Sequence, residues 1–446
     1  MDLFFFKKYS VRSKVVIKNF VISGFVRFAS IILSFATLPI TLKYLSRDEY
    51  GVWLTIYSMM AWLTYFDGGL GSGLRNRIGE AMSRNDNNKI QSYISTSYFI
   101  LLFTIVILIP SFYLFNFWFD WAVFLGVSDE YVHGFNNIIL IIFVLFCLQF
   151  VLKLIDNILI ADQKSGEADL LNVVGSASSL FCFYLLSSRF ESSLLLVGTI
   201  FIGVPFLINL GYSSFLFFTR YRDVRPSLKF VNLNYYKDLM TLGSKFFLIQ
   251  MTGLVTLGFT NVLILRILGP GEVVVYNIVY KYFNTTVMFF SILTNSLYGS
   301  LNESYYKGDI DWIKGIVKKA KVLSMLIILG IALMVGISNV VYNLWIGPSV
   351  QVPWIVSILM GSYFAVIIWV SVYATFISSV GKVKLASNVG ILNMLIYFPL
   401  AIGLAKYLGI EGLIIAQILL VVSGLYWLPM QYNKLINYNA NGIWNK

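Results

Sequence analysis

Apolar runs of roughly twenty residues recur along the chain, each separated from the next by a short polar stretch. As a helix, a run of ~20 residues at about 1.5 Å each crosses about 30 Å of hydrocarbon. Twelve runs fit, over about 18–42, 51–72, 92–118, 135–160, 168–187, 194–218, 241–267, 274–298, 320–342, 353–379, 386–406 and 410–432. The pattern predicts an all-α membrane protein, because a helix satisfies its backbone hydrogen bonds within the segment. The first run follows a basic start with Lys7, Lys8, Arg12, Lys14 and Lys18, and it is longer than the core of a secretory signal. It reads as an uncleaved first span.

The charges orient the spans. With the N-terminus inside, twenty-four of the 33 lysines and arginines fall in cytoplasmic segments and five in outer loops, with the other four inside spans. Cytoplasmic loops carry such an excess, so both termini are expected in the cytoplasm. The longest polar stretch, 219–240, holds Arg220, Arg222, Arg225, Lys229 and Lys237 and reads as a cytoplasmic linker between halves at 1–218 and 241–446.

The halves also echo one another. Glu49 and Glu272, Asp86 and Asp309, Gly126 and Gly347, Lys164 and Lys382, and Glu191 and Glu411 follow equivalent spans, at offsets of 218 to 223 residues. Six spans per half give both repeats the same orientation. The expected fold is therefore two parallel-repeat six-helix bundles around a central cavity.

Composition narrows the chemistry. The chain is 58% hydrophobic and 12% charged, against roughly 25% charged for a soluble domain. The net charge of +12 is explained by the cytoplasmic loops and not by a nucleic-acid-binding module. Cys147 and Cys182 lie in apolar runs, and the single histidine, His133, reads as a surface loop residue. No metal-ligand spacing, nucleophile elbow or phosphate-binding loop occurs, so no cofactor, metal or catalytic site is expected. The glycine-rich Gly68-Gly69-Leu70-Gly71-Ser72-Gly73 reads as a flexible or closely packed helix end. Energy should come from an ion gradient.

Ionisable residues inside spans are costly, so each is a candidate for function. Arg27 lies about nine residues into the first span, roughly 14 Å deep. Lys281 lies about seven residues into the eighth, roughly 10 Å from its outer end. Lys153 and Asp156 are three apart in the fourth span and could pair across one helix face. Lys245 is near the inner end of the seventh span, where a lysine can snorkel, and Asp67 lies toward the inner end of the second. Arg27, Lys153, Lys281 and Lys245 together suit an anionic ligand. Asp67 and Asp156 suit ion coupling or structural pairing.

The segment Leu38-Pro39-Ile40, Tyr44-Leu45, Glu49-Tyr50-Gly51-Val52-Trp53, then Asp67-Gly68-Gly69-Leu70-Gly71 and Leu74-Arg75-Asn76, resembles the O-antigen and polysaccharide flippases. These belong to the multidrug/oligosaccharidyl-lipid/polysaccharide exporter superfamily. The resemblance is sharpest over about 20–100, and Leu344-Trp345-Ile346-Gly347 extends it. The usual D-L-G-L-G reads Asp67-Gly68-Gly69-Leu70-Gly71 here, which bears on local helix geometry. The resemblance implies a bacterial inner-membrane flippase for an undecaprenyl-pyrophosphate-linked oligosaccharide, with proton or sodium as coupling ion. It also implies membrane lipid, the polysaccharide polymerase and the chain-length machinery as partners. The alternatives are a drug or toxin exporter of the same superfamily, a flippase for another lipid-linked glycan precursor, and a membrane enzyme.

Overall fold

A computed structural model describes residues 11–62, 69–127, 134–162 and 164–445, with side chains described except at 11–23, 27, 83, 241–257, 295, 296, 299, 303 and 349. His133 and Asp67 lie outside the described residues, and the side chains of Arg27 and Lys245 lie outside the described side chains. All regular structure among the described residues is helical. The chain divides into two compact units, Met1–Gln250 and Met251–Lys446.

The first unit holds α1 (Val11–Tyr44), α2 (Arg47–Ala61), α3 (Leu70–Ser83), α4 (Asn87–Trp118), the short α5 (Trp121–Leu125), α6 (Phe135–Leu152), α7 (Leu154–Ala161), α8 (Ser165–Ser187) and α9 (Leu194–Phe218). The long α10 (Asn234–Leu268) starts in the first unit and runs into the second. The second unit continues with α11 (Pro270–Lys307), α12 (Ile310–Ile346), α13 (Trp354–Ser379), α14 (Lys384–Val422) and α15 (Gly424–Ile436).

Among the described residues, eight helices are long and apolar enough to cross a membrane. One of them, Lys384–Ile436, contains two of the expected spans. Its path breaks at Gly409, where φ is 64° and ψ −142°. Tyr397 and Ala401 before the break pack in one buried cluster with Ala416 and Leu420 after it, so the segments fold back on each other. The small alanines let the backbones approach. The remaining expected spans fall on α2 with α3, on α10 and on α11, so the chain is an all-α membrane protein of about twelve spans.

The second expected span covers α2 and the start of α3, with 63–68 outside the described residues. α2 opens with a capping box: Ser46 N–H donates to Glu49 Oε2 at 2.8 Å, and Glu49 N–H donates to Ser46 Oγ at 3.2 Å. α3 begins afresh after Gly69, at φ 88°. A run read from hydropathy as one span is thus two helices.

Apolar faces follow the lipid rule. On α12, Val322, Leu326, Leu329, Leu333, Ile337, Val340 and Leu344 are all exposed, at steps of three or four. In water such a stripe would be a liability, and in lipid it is the expected outer face. α13 carries the second unit's core: Val356, Met360, Phe364, Ile368, Val372 and Phe376 are buried at every fourth position. It packs against α11, α12, α14 and α15.

The repeat anchors Asp86 and Asp309 have matching local roles. Asp86 caps α4 by accepting from Lys89 N, and Asp309 caps α12 by accepting from Trp312 N. Gly126 and Gly347 both take positive φ, at 69° and 75°. The two aspartates thus play one capping role, while the two glycines differ in ψ, at 35° and −168°.

The 219–240 stretch is bound to the first unit along its length. Arg220 Nη1 pairs with Glu167 at 2.9 Å, and Tyr221 donates to Asp162 Oδ2 at 2.8 Å. Burial pushes the Tyr221 phenol above its ordinary value, so it stays a donor at neutral pH. Gln91 donates to Arg225 O, Ser227 N to Ser95 Oγ, and Asn232 N to Thr96 Oγ1, each at 3.0 Å.

Candidate functional site

Lys153 stands at a break in the fourth span. It is the C-cap of α6, with ψ at −10°, and α7 starts at the next residue. No direct ion pair between Lys153 and Asp156 closes among the described residues, though the two remain close enough to interact. Asp156 Oδ2 instead accepts from Asn172 Nδ2 at 3.3 Å, across to α8. Its Oδ1 is buried without a hydrogen-bond partner in the structure. Lys153 and Asp169 are still close enough to act on it electrostatically.

Beside this group lies a cavity of about 210 Å³ inside the first unit. Its polar lining is Lys153 and Gln149 from the end of α6, Asn172 and Ser176 from α8, Asn209 from α9 and Tyr57 from α2. Phe146, Phe201 and Pro205 form apolar wall. Asn209 is only 5% exposed. The side chains of Gln149, Lys153 and Asn209 have no hydrogen-bond partner among the described residues. Asn209 is the buried one and Gln149 and Lys153 are part-exposed beside it, so three polar side chains turned to one cavity mark a place that water or a ligand fills.

The reading from sequence weighed only charges and so missed Tyr57, Gln149, Asn172, Ser176 and Asn209. A signal was present for two of them. Gln149 in Phe146-Cys147-Leu148-Gln149-Phe150 and Asn209 in Leu207-Ile208-Asn209-Leu210 are lone amides in otherwise apolar runs.

Lys281 lies half-buried on α11, in the second unit. That unit has its own polar interior. Gln417 Nε2 donates to Thr260 Oγ1 at 3.2 Å and to Tyr276 Oη at 2.9 Å. The Thr260 and Tyr397 hydroxyls lie 2.6 Å apart. Here the polar groups satisfy one another, as a structural network does.

The polysaccharide biosynthesis protein family matches residues 16–298. A Salmonella typhimurium protein named as an O-antigen transporter is 23% identical over 425 residues, covering 89% of this chain and 91% of its own length. A Yersinia pseudotuberculosis protein named as an O-antigen export protein is 26% identical over 427 residues, covering 92% and 94%. Among solved structures, the chain is similar to an inward-facing multidrug resistance MATE family transporter of the MOP superfamily, with a TM-score of 0.72, 14% identity, and coverage of 94% of this chain and 100% of that one. It is also similar to a Vibrio cholerae MATE transporter mutant, with a TM-score of 0.65, 13% identity, and coverage of 97% and 98%. These likenesses carry the fold. The family match spans more than half of the sequence: the chain belongs to the polysaccharide biosynthesis protein family of membrane transporters.

Proposed function

We propose that this protein is a flippase that carries an undecaprenyl-diphosphate-linked oligosaccharide from the cytoplasmic to the outer leaflet of the inner membrane. The observation that carries this reading is the partnerless polar cavity around Lys153 in an otherwise apolar bundle, in a chain of this family. A hydrophilic head group cannot cross hydrocarbon unaided, because its polar groups lose water. A bundle with an internal polar surface replaces that water. The full-length relatives named for O-antigen transport support a glycan as cargo.

In this reading the two six-helix repeats, 1–218 and 241–446, expose a central cavity to each side in turn. Both termini and the 219–240 stretch lie in the cytoplasm. Arg27 and Lys281 hold the diphosphate, Arg through two hydrogen bonds and Lys as a point charge. Lys245 serves the same head group from nearer the inner surface. Asp67 and Asp156 couple transport to a proton or sodium gradient. The polymerase and chain-length machinery would receive the product outside.

The test is flipping of a fluorescent polyprenyl-diphosphate-linked oligosaccharide in proteoliposomes. Arg27→Gln and Lys281→Gln should abolish it at normal protein levels, while Arg27→Lys and Lys281→Arg keep part. Normal flipping by both neutral variants would overturn the head-group assignment. Absence of flipping by the wild-type protein under an imposed ion gradient would overturn the function.

A further inference from the structure

The geometry points to the cavity of the first unit as a subsite for one uncharged sugar residue of the transported glycan. This rests on the flippase reading and adds to it what part of the cargo is read, and where.

The mouth of the cavity faces a polar space. Asn172 and Ser176 are exposed on α8, and Ser176 is eleven residues into a 23-residue helix, close to mid-membrane. The same helix also exposes Leu170, Val174, Phe181 and Leu185. At about 100° per residue, those four lie on the side opposite Asn172 and Ser176. One face of α8 is thus the lipid face. The other bears Ser165, Asp169, Asn172, Ser176 and Ser179 at successive steps of four, three, four and three. An exposed amide and hydroxyl at that depth would be costly against acyl chains and fit an aqueous path.

The lining fits a sugar in size and in chemistry. The cavity of about 210 Å³ has room for a group the size of a pyranose ring. Gln149 and Asn209 offer both amide donors and carbonyl acceptors, and Asn172, whose amide donates to Asp156 Oδ2 and Ala168 O, offers its carbonyl, which suits hydroxyls that both donate and accept. Phe146 and Phe201 supply flat apolar surface for the C–H face of a ring. Asn209, deep in the cavity and without a partner among the described residues, is the group a ligand hydroxyl would satisfy.

Charge decides against an ionic ligand. Among the described residues, Lys153 is the only cation lining the cavity, and Asp156 and Asp169 act on the same region. The three together carry a net charge of about −1 when ionised. An anion gains little there, and a cation meets Lys153 at the wall. Lys153 serves as a hydrogen-bond donor whose charge is already balanced.

Saturation-transfer NMR on the full-length protein in detergent tests this. The probes are glucose, galactose, mannose and N-acetylglucosamine, with glucuronate as the anion and tetraphenylphosphonium as the cation. At least one neutral sugar should bind the wild-type protein at millimolar concentration. Its affinity should fall at least tenfold in Asn209→Leu and in Gln149→Leu, and should be unchanged by Lys318→Gln on the exposed face of α12. Asn209→Ser, which keeps a small polar group, and Ser176→Ala, which removes a single hydroxyl, provide milder variants if the leucine variants are not monodisperse. Binding of no neutral sugar, indifference to these substitutions, or preference for glucuronate or tetraphenylphosphonium through the same residues would overturn the subsite. The flipping assay separates the two readings. If the wild-type protein flips the lipid-linked glycan and the Asn209 and Gln149 variants match its rate, the subsite fails and the function stands. If the wild-type protein flips nothing, the function fails and the binding result is judged alone.

Discussion

Arg77 Nη2 lies 2.9 Å from Asp238 Oδ1, joining α3 to the first turns of α10 across 161 residues of sequence. Tyr93 donates to the other oxygen of the same carboxylate at 3.0 Å. Together with the Ser95–Ser227 and Thr96–Asn232 bonds, this makes the 219–240 stretch part of the first unit, not a free tether. Asp238 is 45% exposed, so the ion pair alone should be worth only about 0.5–1 kcal/mol. Arg77→Ala and Asp238→Ala should each lower apparent thermal stability slightly, with a coupling of about that size in the double mutant. Cysteines at Thr96 and Asn232 should cross-link without stopping transport. Loss of transport on cross-linking, reversed by reductant, would mean that this contact opens during the cycle.

Gly73 is where α3 and α10 come closest. A Cβ there would sit 2.2 Å from Leu239 O, and a backbone oxygen cannot swing aside. Gly73→Ala should therefore cost about 1–3 kcal/mol, the usual penalty for overpacking. Gly79 on the same helix has open space around its would-be Cβ. Gly79→Ala should be neutral, or stabilising by up to about 1 kcal/mol through helix propensity. Thermal unfolding of both variants in one detergent checks the contrast, and equal behaviour would contradict the close approach.

What the sequence made legible, and what it hid, follows from the range of the forces involved. Spans such as α9 and α13 are set by unbroken apolar length, which hydropathy reads directly. The glycine run before Arg75 was noticed as a helix end, but its reason, a backbone oxygen at Leu239, is a tertiary contact that no local pattern encodes. Lys153 and Asp156, three apart in the sequence, do act on one another electrostatically, but the amide of Asn172 on α8 that bonds Asp156 comes from a tertiary contact no local spacing shows. Asn209 was passed over because the reading priced ions and not amides. Once three partnerless polar side chains share a cavity, their placement says more than their charge.

Gly409 should be hard to replace. Its φ of 64° lies in the left-handed region, and it is the point at which the Tyr397–Ala401 and Ala416–Leu420 segments turn back on each other. Gly409→Ala should cost about 1–2 kcal/mol from backbone strain alone. Gly403→Ala, six residues earlier in the helix with nothing near its would-be Cβ, should be tolerated. Yield and apparent melting temperature of the two variants measure the difference. A Gly409→Ala protein as stable as wild type would show that the hairpin does not depend on this conformation.

Gln417 offers a separate test of whether the polar interior of the second unit is structural. It is 1% exposed, and Thr260, Tyr276 and Tyr397 around it are all at 4% or below. Gln417→Leu removes the donor to Thr260 and Tyr276 and leaves their hydroxyls short of a partner. An orphaned buried hydroxyl costs about 1–3 kcal/mol, whereas removing both partners can be nearly neutral. Gln417→Leu should therefore destabilise, and Gln417→Leu with Tyr276→Phe should recover part of the loss. In membrane proteins such couplings average about 0.6 kcal/mol, so the recovery should be modest but measurable. Gln417→Glu should be worse than Gln417→Leu and worse still at higher pH, because a carboxylate there would be buried with no cation beside it among the groups it touches. If the double variant regains stability and also flips glycan normally, the network only holds α10, α11 and α14 together. If it regains stability but loses flipping, the Gln417 amide or the Tyr276 hydroxyl takes part in transport, and the second unit contributes polar contacts of its own to the passage of the cargo.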